Sequence, residues 1–232
     1  MRVDWSAFRK VITPETRFWW RDDDAVAPSV ALERLMRLQE VISVPAHLAI
    51  VPRNATSELV QIIDANPALI PLVHGWQHAN TAQPGQKKSE FQSPRSEAIG
   101  ETKAALARMR TLFGARLVPV FVPPWNRISD EIAGRLSAQG YRGLSTFGPR
   151  ARQKDVGVMR LNTHVDPIDW RGTRGLASPQ KIVDLATAQL STYPAEPIGI
   201  LTHHLVQSEE IWALVQAVML ELLSAGATPI SL

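Results

Sequence analysis

The sequence predicts an α/β chain folded as a distorted parallel β/α barrel of seven or eight units, closed or nearly closed. Three observations carry this. Short apolar or β-branched runs alternate with longer segments of helical period along the whole chain. The 232 residues, 45% apolar and 20% charged, suit a single compact domain spanning 1–232, a common length for one barrel. The polar residues of unusual type fall where the predicted strands end, the rim on which barrels build their sites. An open doubly wound sheet is the structural alternative.

Strands are expected at Thr16–Arg21, Val44–Val51, Leu69–His74, Leu117–Val122, Tyr141–Thr146, Val158–Val165, Pro197–His203 and Thr228–Leu232. Helices are expected between them at Ser29–Ile42, Ser57–Ala65, Pro94–Phe113, Ser129–Gln139, Pro179–Leu190 and Ser208–Ala225. Ala31, Leu35, Leu38 and Ile42 step by three and four in the first helix, and Ile99, Thr102, Leu106, Met109 and Phe113 do so in the third. Ser129 and Ser178 stand at helix starts, the latter before a proline, and Gly114 and Gly140 at helix ends as expected left-handed caps. One long polar insertion, Ala79–Gln92, reads as a loop over a site.

Composition narrows the chemistry. There is no cysteine, so any metal must be held by His, Asp or Glu, which favours zinc or a similar divalent ion such as Co, Ni or Mn. The formal charge of +3 comes from scattered basic residues, so nucleic acid is not an expected partner. No apolar run reaches the roughly 18 residues of a membrane span. The segment MRVDWSAFRKVITPE lacks a signal-peptide core, and a cytoplasmic location is the expectation. Seven tryptophans against two tyrosines supply indoles for a core or for stacking on sugars.

Five polar groups reach the predicted rim: RDDDA after the first strand, HGWQH after the third, VPPWNR after the fourth, HVDPIDW after the sixth and LTHH at the end of the seventh. His74 and His78, four apart, meet one ion if the segment is a helix or tight turn; otherwise each is hydrogen-bonded locally. An aspartate from the first strand completes a three-ligand set with a position open for water, and gives the crowded carboxylates a counter-charge. A second aspartate beside it stands within reach of that water as a general base. LTHH offers a histidine able to protonate a leaving group, and DPIDW a carboxylate to orient it. The competing possibilities are an ordinary turn at Asp169-Trp170, a single inward histidine at 203–204, and a merely rigid Pro-Pro loop.

In this order and spacing the residues resemble the polysaccharide deacetylases of carbohydrate esterase family four, the NodB-homology group. Asp23-Asp24, HGWQH, VPPW, DPIDW and LTH stand at the places of that family's five motifs, between Asp22 and His203. The resemblance implies a barrel of NodB-homology type and a divalent metal, most simply zinc. Asp24, His74 and His78 are then the metal ligands, Asp23 the catalytic base and His203 the catalytic acid. Asp169 or Asp166 tunes that acid. Trp125, with Pro124, forms the groove and supplies an oxyanion N–H, while Trp170 and Leu201 line an acetyl pocket. The implied reaction is metal-dependent removal of N-acetyl groups from an amino-sugar substrate. Hydrolysis of another small amide on the same scaffold, or glycan binding with little catalysis, are the alternatives.

Three departures from the pattern stand out. The first motif ends in alanine rather than glycine, so Asp22-Asp23 is a second possible register with Asp22 otherwise in a supporting place. The arginine that steadies the family's base is replaced by Val122, leaving Arg21, Arg127 or Arg171 as substitutes. Finally, members acting on cell walls are exported, and no export signal is visible.

Overall fold

The computed structural model describes residues 3–93, 95–150 and 157–232. The strands are β1 Arg17–Ala25, β2 Ala46–Ile50, β3 Leu69–His74, β4 Val120–Val122, β5 Gly143–Leu144, β6 Met159–Arg160, β7 Ile198–Thr202 and β8 Thr228–Pro229. The helices are α1 Ser6–Val11, α2 Val30–Ile42, α3 Ser57–Ala65, α4 Ala98–Phe113, α5 Asp130–Ala133, α6 Leu136–Gln139, α7 Pro179–Thr192 and α8 Glu209–Ser224. The sheet runs β6-β5-β4-β3-β2-β1-β7, with every pair parallel and β8 joining the start of β1. Beyond β6 the chain bridges Thr163 to Phe147 and Val165 to Ile200, which closes the curl between the two ends. The architecture is the expected distorted barrel, not an open doubly wound sheet.

Strand parity sorts the apolar side chains into two layers. Trp19, Ala49, Ile70, Leu72, Val120, Val122 and Leu161 fill the inside of the barrel. Phe18, Trp20, Leu48, Ile50 and Phe121 face outward and pack under the helices against residues such as Leu35, Trp212 and Val215. Of the seven tryptophans, Trp19, Trp20 and Trp212 are fully enclosed core, and Trp5 and Trp76 pack against it. Only Trp125 and Trp170 remain for the rim.

Helix starts follow the sequence. The side chains of Ser29, Thr56, Ser129 and Ser208 each accept the N–H three residues on. Ser178 occupies the cap position of α7 without such a bond; Pro179 has no N–H to offer and starts the helix by its fixed φ. Gly140 ends α6 in the left-handed region, whereas Gly114 takes φ 51°, ψ −126°, outside it. The expected helix Ser129–Gln139 is split at Gly134 into α5 and α6. The expected start of α4 at Pro94 lies outside the described residues, and its buried face begins at Ala98 while Ile99 is exposed. The expected strand Val158–Val165 is regular only over β6 and continues as single bridges.

β1 carries the main difference from expectation. It runs four residues past Arg21, through all three aspartates, flanked on both sides by parallel neighbours. Against β2 its register shifts between Asp22 and Ala25: three steps on β1 span two on β2. This is a bulge, and bulges re-aim a side chain. Asp24 sits in it at φ 77°.

Candidate active site

The DDD run resolves residue by residue. In a flat strand Asp22 and Asp24 would share one face and Asp23 the other. Asp22 does point outward, where it meets Thr202 and His204. Asp23 points inward beside Arg21, two residues earlier on the same face. The bulge and positive φ turn Asp24 out of alternation toward the rim, where its Oδ1 lies 3.1 Å from His74 Nε2 and 3.2 Å from His78 Nε2. The register with Asp24 beside the two histidines is therefore the one the backbone adopts.

His74 is the last residue of β3 and is buried inside the barrel rim. Its Nδ1–H donates to the Val122 carbonyl at 2.9 Å, which fixes the ring and aims Nε2 at Asp24, where it can act as a ligand. The same carbonyl accepts the Gly75 N–H at 2.9 Å. Gly75 then turns at φ 58°, where a Cβ would lie 2.4 Å from Glu90 Oε2 and 2.5 Å from Pro124 Cδ. Glu90 holds the turn from the other side, accepting the N–H groups of Trp76 at 3.2 Å and Gln77 at 2.9 Å. Burial raises the pKa of its carboxyl, and those N–H groups oppose the rise. His78 follows at φ 57°, with its ring 4.4 Å from that of Trp125. Of the six non-glycine residues at positive φ among the described residues, Asp24, His78, Trp125 and Asn126 lie here; such strain gathers at functional sites.

The ligand atoms of Asp24, His74 and His78 all lie within 4.8 Å of one another. One carboxylate and two imidazoles, with one imidazole oriented by a carbonyl, form a donor set that suits a divalent ion such as zinc, with cobalt, nickel and manganese sharing the preference for nitrogen and oxygen. Burial alone would raise Asp24, but the hydrogen bond from His74 and the fields of His74, His78 and His203 hold it well below the usual carboxylate range. Burial likewise pushes His74 down, and the charges of Asp23 and Asp24 more than offset it, leaving it raised. At His78, burial and the neighbouring His74 win, and its pKa is lowered.

Arg21 is fully buried and grips Asp23 with two parallel bonds, Nε to Oδ1 at 2.8 Å and Nη2 to Oδ2 at 3.0 Å. Ser145 Oγ and Asn126 Oδ1 accept its other N–H groups at 2.6 and 2.7 Å. Of the three arginines considered for this place, Arg127 instead donates to the Lys88 carbonyl and Arg171 is exposed. On the far side of the rim, the His203 ring meets Trp170 edge-on at 4.8 Å. Trp170 Nε1–H donates to Asp166 Oδ2 at 2.7 Å, and Asp166 Oδ1 accepts the Ile168 N–H at 3.0 Å. Burial raises Asp166, and the charge of His203 is the main influence opposing it.

The Asp169 carboxylate accepts the N–H groups of Gly172 and Thr173 and closes an exposed turn. Asp166 lies in the field of His203. Leu201 is buried two residues before His203, on the inward parity of β7, and Pro124 is buried against the Gly75 turn. Glu90, Ser145 and Asn126 had no part in the sequence reading. Glu90 had one available signal, as the single acid of the insertion Ala79–Gln92.

No protein-family model matches the chain, and no curated protein matches it in sequence. Solved structures do match. A Streptococcus mutans CE4 esterase superposes with a TM-score of 0.61 at 13% identity, over 99% of this chain and 92% of that one. A peptidoglycan N-acetylglucosamine deacetylase in complex with an N-oxidanyl-benzamide gives 0.60 at 17%, over 95% and 86%. A family 4 acetyl xylan esterase from Clostridium thermocellum, in complex with cobalt, gives 0.54 at 15%, over 93% and 87%. The chain thus has the distorted parallel barrel fold of the polysaccharide deacetylases and family 4 carbohydrate esterases.

Proposed function

We propose that this chain is a metal-dependent hydrolase that removes N-acetyl groups from an amino-sugar-containing substrate. The observation that carries the reading is the convergence of Asp24, His74 and His78 beside an arginine-held Asp23. A divalent ion bound by those three residues supplies Lewis acidity to water and to the acyl oxygen. Asp23, fixed by the Arg21 fork, accepts the proton of the attacking water. The backbone N–H of Trp125 donates to the developing oxyanion, a contact typically worth a few kcal/mol. His203 gives its proton to the departing amine nitrogen, and acetate and the free amine leave. Trp170 packs on His203 and carries Asp166 beside it, so Asp166 rather than Asp169 takes the orienting role. Trp125, Trp170 and Leu201 bound the substrate side.

Two similar structures support the class of chemistry: one is a peptidoglycan N-acetylglucosamine deacetylase, the other an acetyl xylan esterase holding cobalt. The pair Arg21–Asp23 also weakens the reading of a glycan-binding relative without catalysis, since it supplies Asp23 with the arginine that Val122 does not.

The test pairs metal content with acetate release. His74→Ala and His78→Ala should lose both, while Asp23→Asn should keep the metal and lose turnover. Full acetate release from a metal-free variant would sink the proposal. A panel of acetylated saccharides beside small N-acyl amides assigns the substrate, and turnover of small amides alone would redirect it to them.

A further inference from the structure

Asp22 has no part in the proposed chemistry, yet it is fully buried and fully engaged. Its Oδ2 accepts the Thr202 hydroxyl at 2.6 Å and the His204 backbone N–H at 3.0 Å, and its Oδ1 accepts from His204 Nδ1. Thr202 in turn accepts the Trp20 indole N–H at 2.7 Å, and Trp20 packs edge-on against Trp212 of α8. Asp22 and Thr202 are direct partners in the parallel pairing of β1 with β7. One carboxylate therefore anchors the residue before His203 and the residue after it. Parity then leaves the His203 side chain on the opposite side, over Trp170. Apolar side chains would fill this outward space without the desolvation a buried carboxylate must overcome. The ion pair and its hydrogen bonds add direction instead.

We propose that Asp22 is a positioning residue for the acid: through Thr202 and His204 it fixes the end of β7, so that His203 stands opposite the Asp23 that follows Asp22 on β1. One strand would then set both proton-transfer groups, Asp23 directly and His203 through its two neighbours. The balance is simple. The water's proton goes to Asp23, the C–N bond breaks, and the proton of His203 goes to the amine nitrogen. This inference rests on the proposed role of His203.

Leaving-group chemistry separates a misplaced acid from a damaged fold. An amine leaves only when protonated, whereas nitrophenolate leaves without help. With the intact metal-loaded chain, Asp22→Asn should slow kcat for an N-acetylglucosamine oligomer about 10- to 100-fold, below the roughly 100- to 10,000-fold that general acid catalysis contributes, because the acid is misplaced rather than removed. KM, metal content and the rate on nitrophenyl acetate should stay close to wild type. His203→Ala should show the same split. His204→Asn keeps a side-chain N–H for Asp22 and should retain the oligomer rate, whereas His204→Leu should behave as Asp22→Asn does; this pair carries the test if Asp22→Asn fails to fold. Equal losses on both substrates, or no loss on either, would overturn the inference while His203→Ala upholds the function. If His203→Ala keeps the oligomer rate, or wild type turns over no acetylated amine, the role of His203 and this inference fall together.

Discussion

Arg21 has its guanidinium at the centre of four hydrogen bonds inside the barrel, two to Asp23 and one each to Ser145 and Asn126. Removing one partner of such a buried pair strands the other charge, typically at about 3–5 kcal/mol. Arg21→Gln should therefore lower the free energy of unfolding by that order, read from urea denaturation, and abolish acetate release. Arg21→Lys keeps the charge but lacks the planar fork, and should recover stability more than turnover. Unchanged stability in Arg21→Gln would remove the pair from the account of the site. The sequence alone offered three arginines for this role. The deciding fact is parity: residues two apart on a strand share a face, so Arg21 and Asp23 meet only if the strand continues through the aspartates. Three adjacent aspartates have poor strand propensity, which is why the expected strand stopped at Arg21. Pairing on both sides with β2 and β7 overrides that preference.

Among the elements, the turn after β3 and the insertion Ala79–Gln92 work as one unit. The insertion leaves the rim and folds back on itself, with the Thr81 N–H donating to the Ser89 carbonyl at 2.8 Å. Its returning end then delivers Glu90 to the backbone of the HGWQH turn. A loop over the site was legible from its polarity and length. Its inward carboxylate was not, because a loop has no period from which to read facing. Gly75 is the point where the parts press together. Gly75→Ala would meet both Glu90 and Pro124 in a left-handed conformation, at a cost of roughly 1–3 kcal/mol. It should weaken metal affinity about 10- to 100-fold, as lost outer support of ligands does. Calorimetric titration with zinc checks this, and wild-type affinity in the variant would show that the turn does not orient His78. The strong helices α2, α3 and α8 were legible because a capping side chain and an apolar face agree, and α7 because a proline opens it. The expected helix after Ser129 was less so, since Gly134 divides it into two short pieces.

At the scale of the molecule, the inside of the barrel is apolar toward its base and charged toward its rim, and His47 stands in the apolar part. Its Nδ1–H donates to the Trp20 carbonyl at 2.9 Å, Nε2 accepts the Leu232 N–H at 3.3 Å, and the ring lies edge-on to Trp19. Burial pushes its pKa down to about 4, against the opposing carbonyl bond. Unfolded, it titrates near 6.5. Because the folded value is the lower one, the unfolded chain binds more protons between the two. The contribution of neutral His47 is complete above about pH 6.5 and is lost as pH falls through 4, by roughly 3 kcal/mol in all. Thermal unfolding should show this loss between pH 7 and pH 4.5, and His47→Gln should flatten it even if less stable at neutral pH. An identical slope in that variant would assign the acid sensitivity to other groups. The barrel class was legible because strand-end polarity and α/β alternation are properties of the whole chain. Its closure was not, since that depends on single bridges at Thr163 and Val165 in a stretch with no regular strand.

The alternation of β1 also acts as a key against misthreading. A slip of one residue against its neighbours would turn Arg21 and Asp23 into the outer apolar layer, away from Ser145 and Asn126, and turn Asp22 away from Thr202 and His204. Every slip by an odd number of residues thus strands charge in hydrocarbon, and the strand is held to one facing by the same side chains that the proposed reaction requires. Neutralising the site would then do more than silence it. It would remove the penalty that keeps β1 from sliding, so a chain stripped of Arg21, Asp22 and Asp23 together should fold to a less uniquely defined sheet.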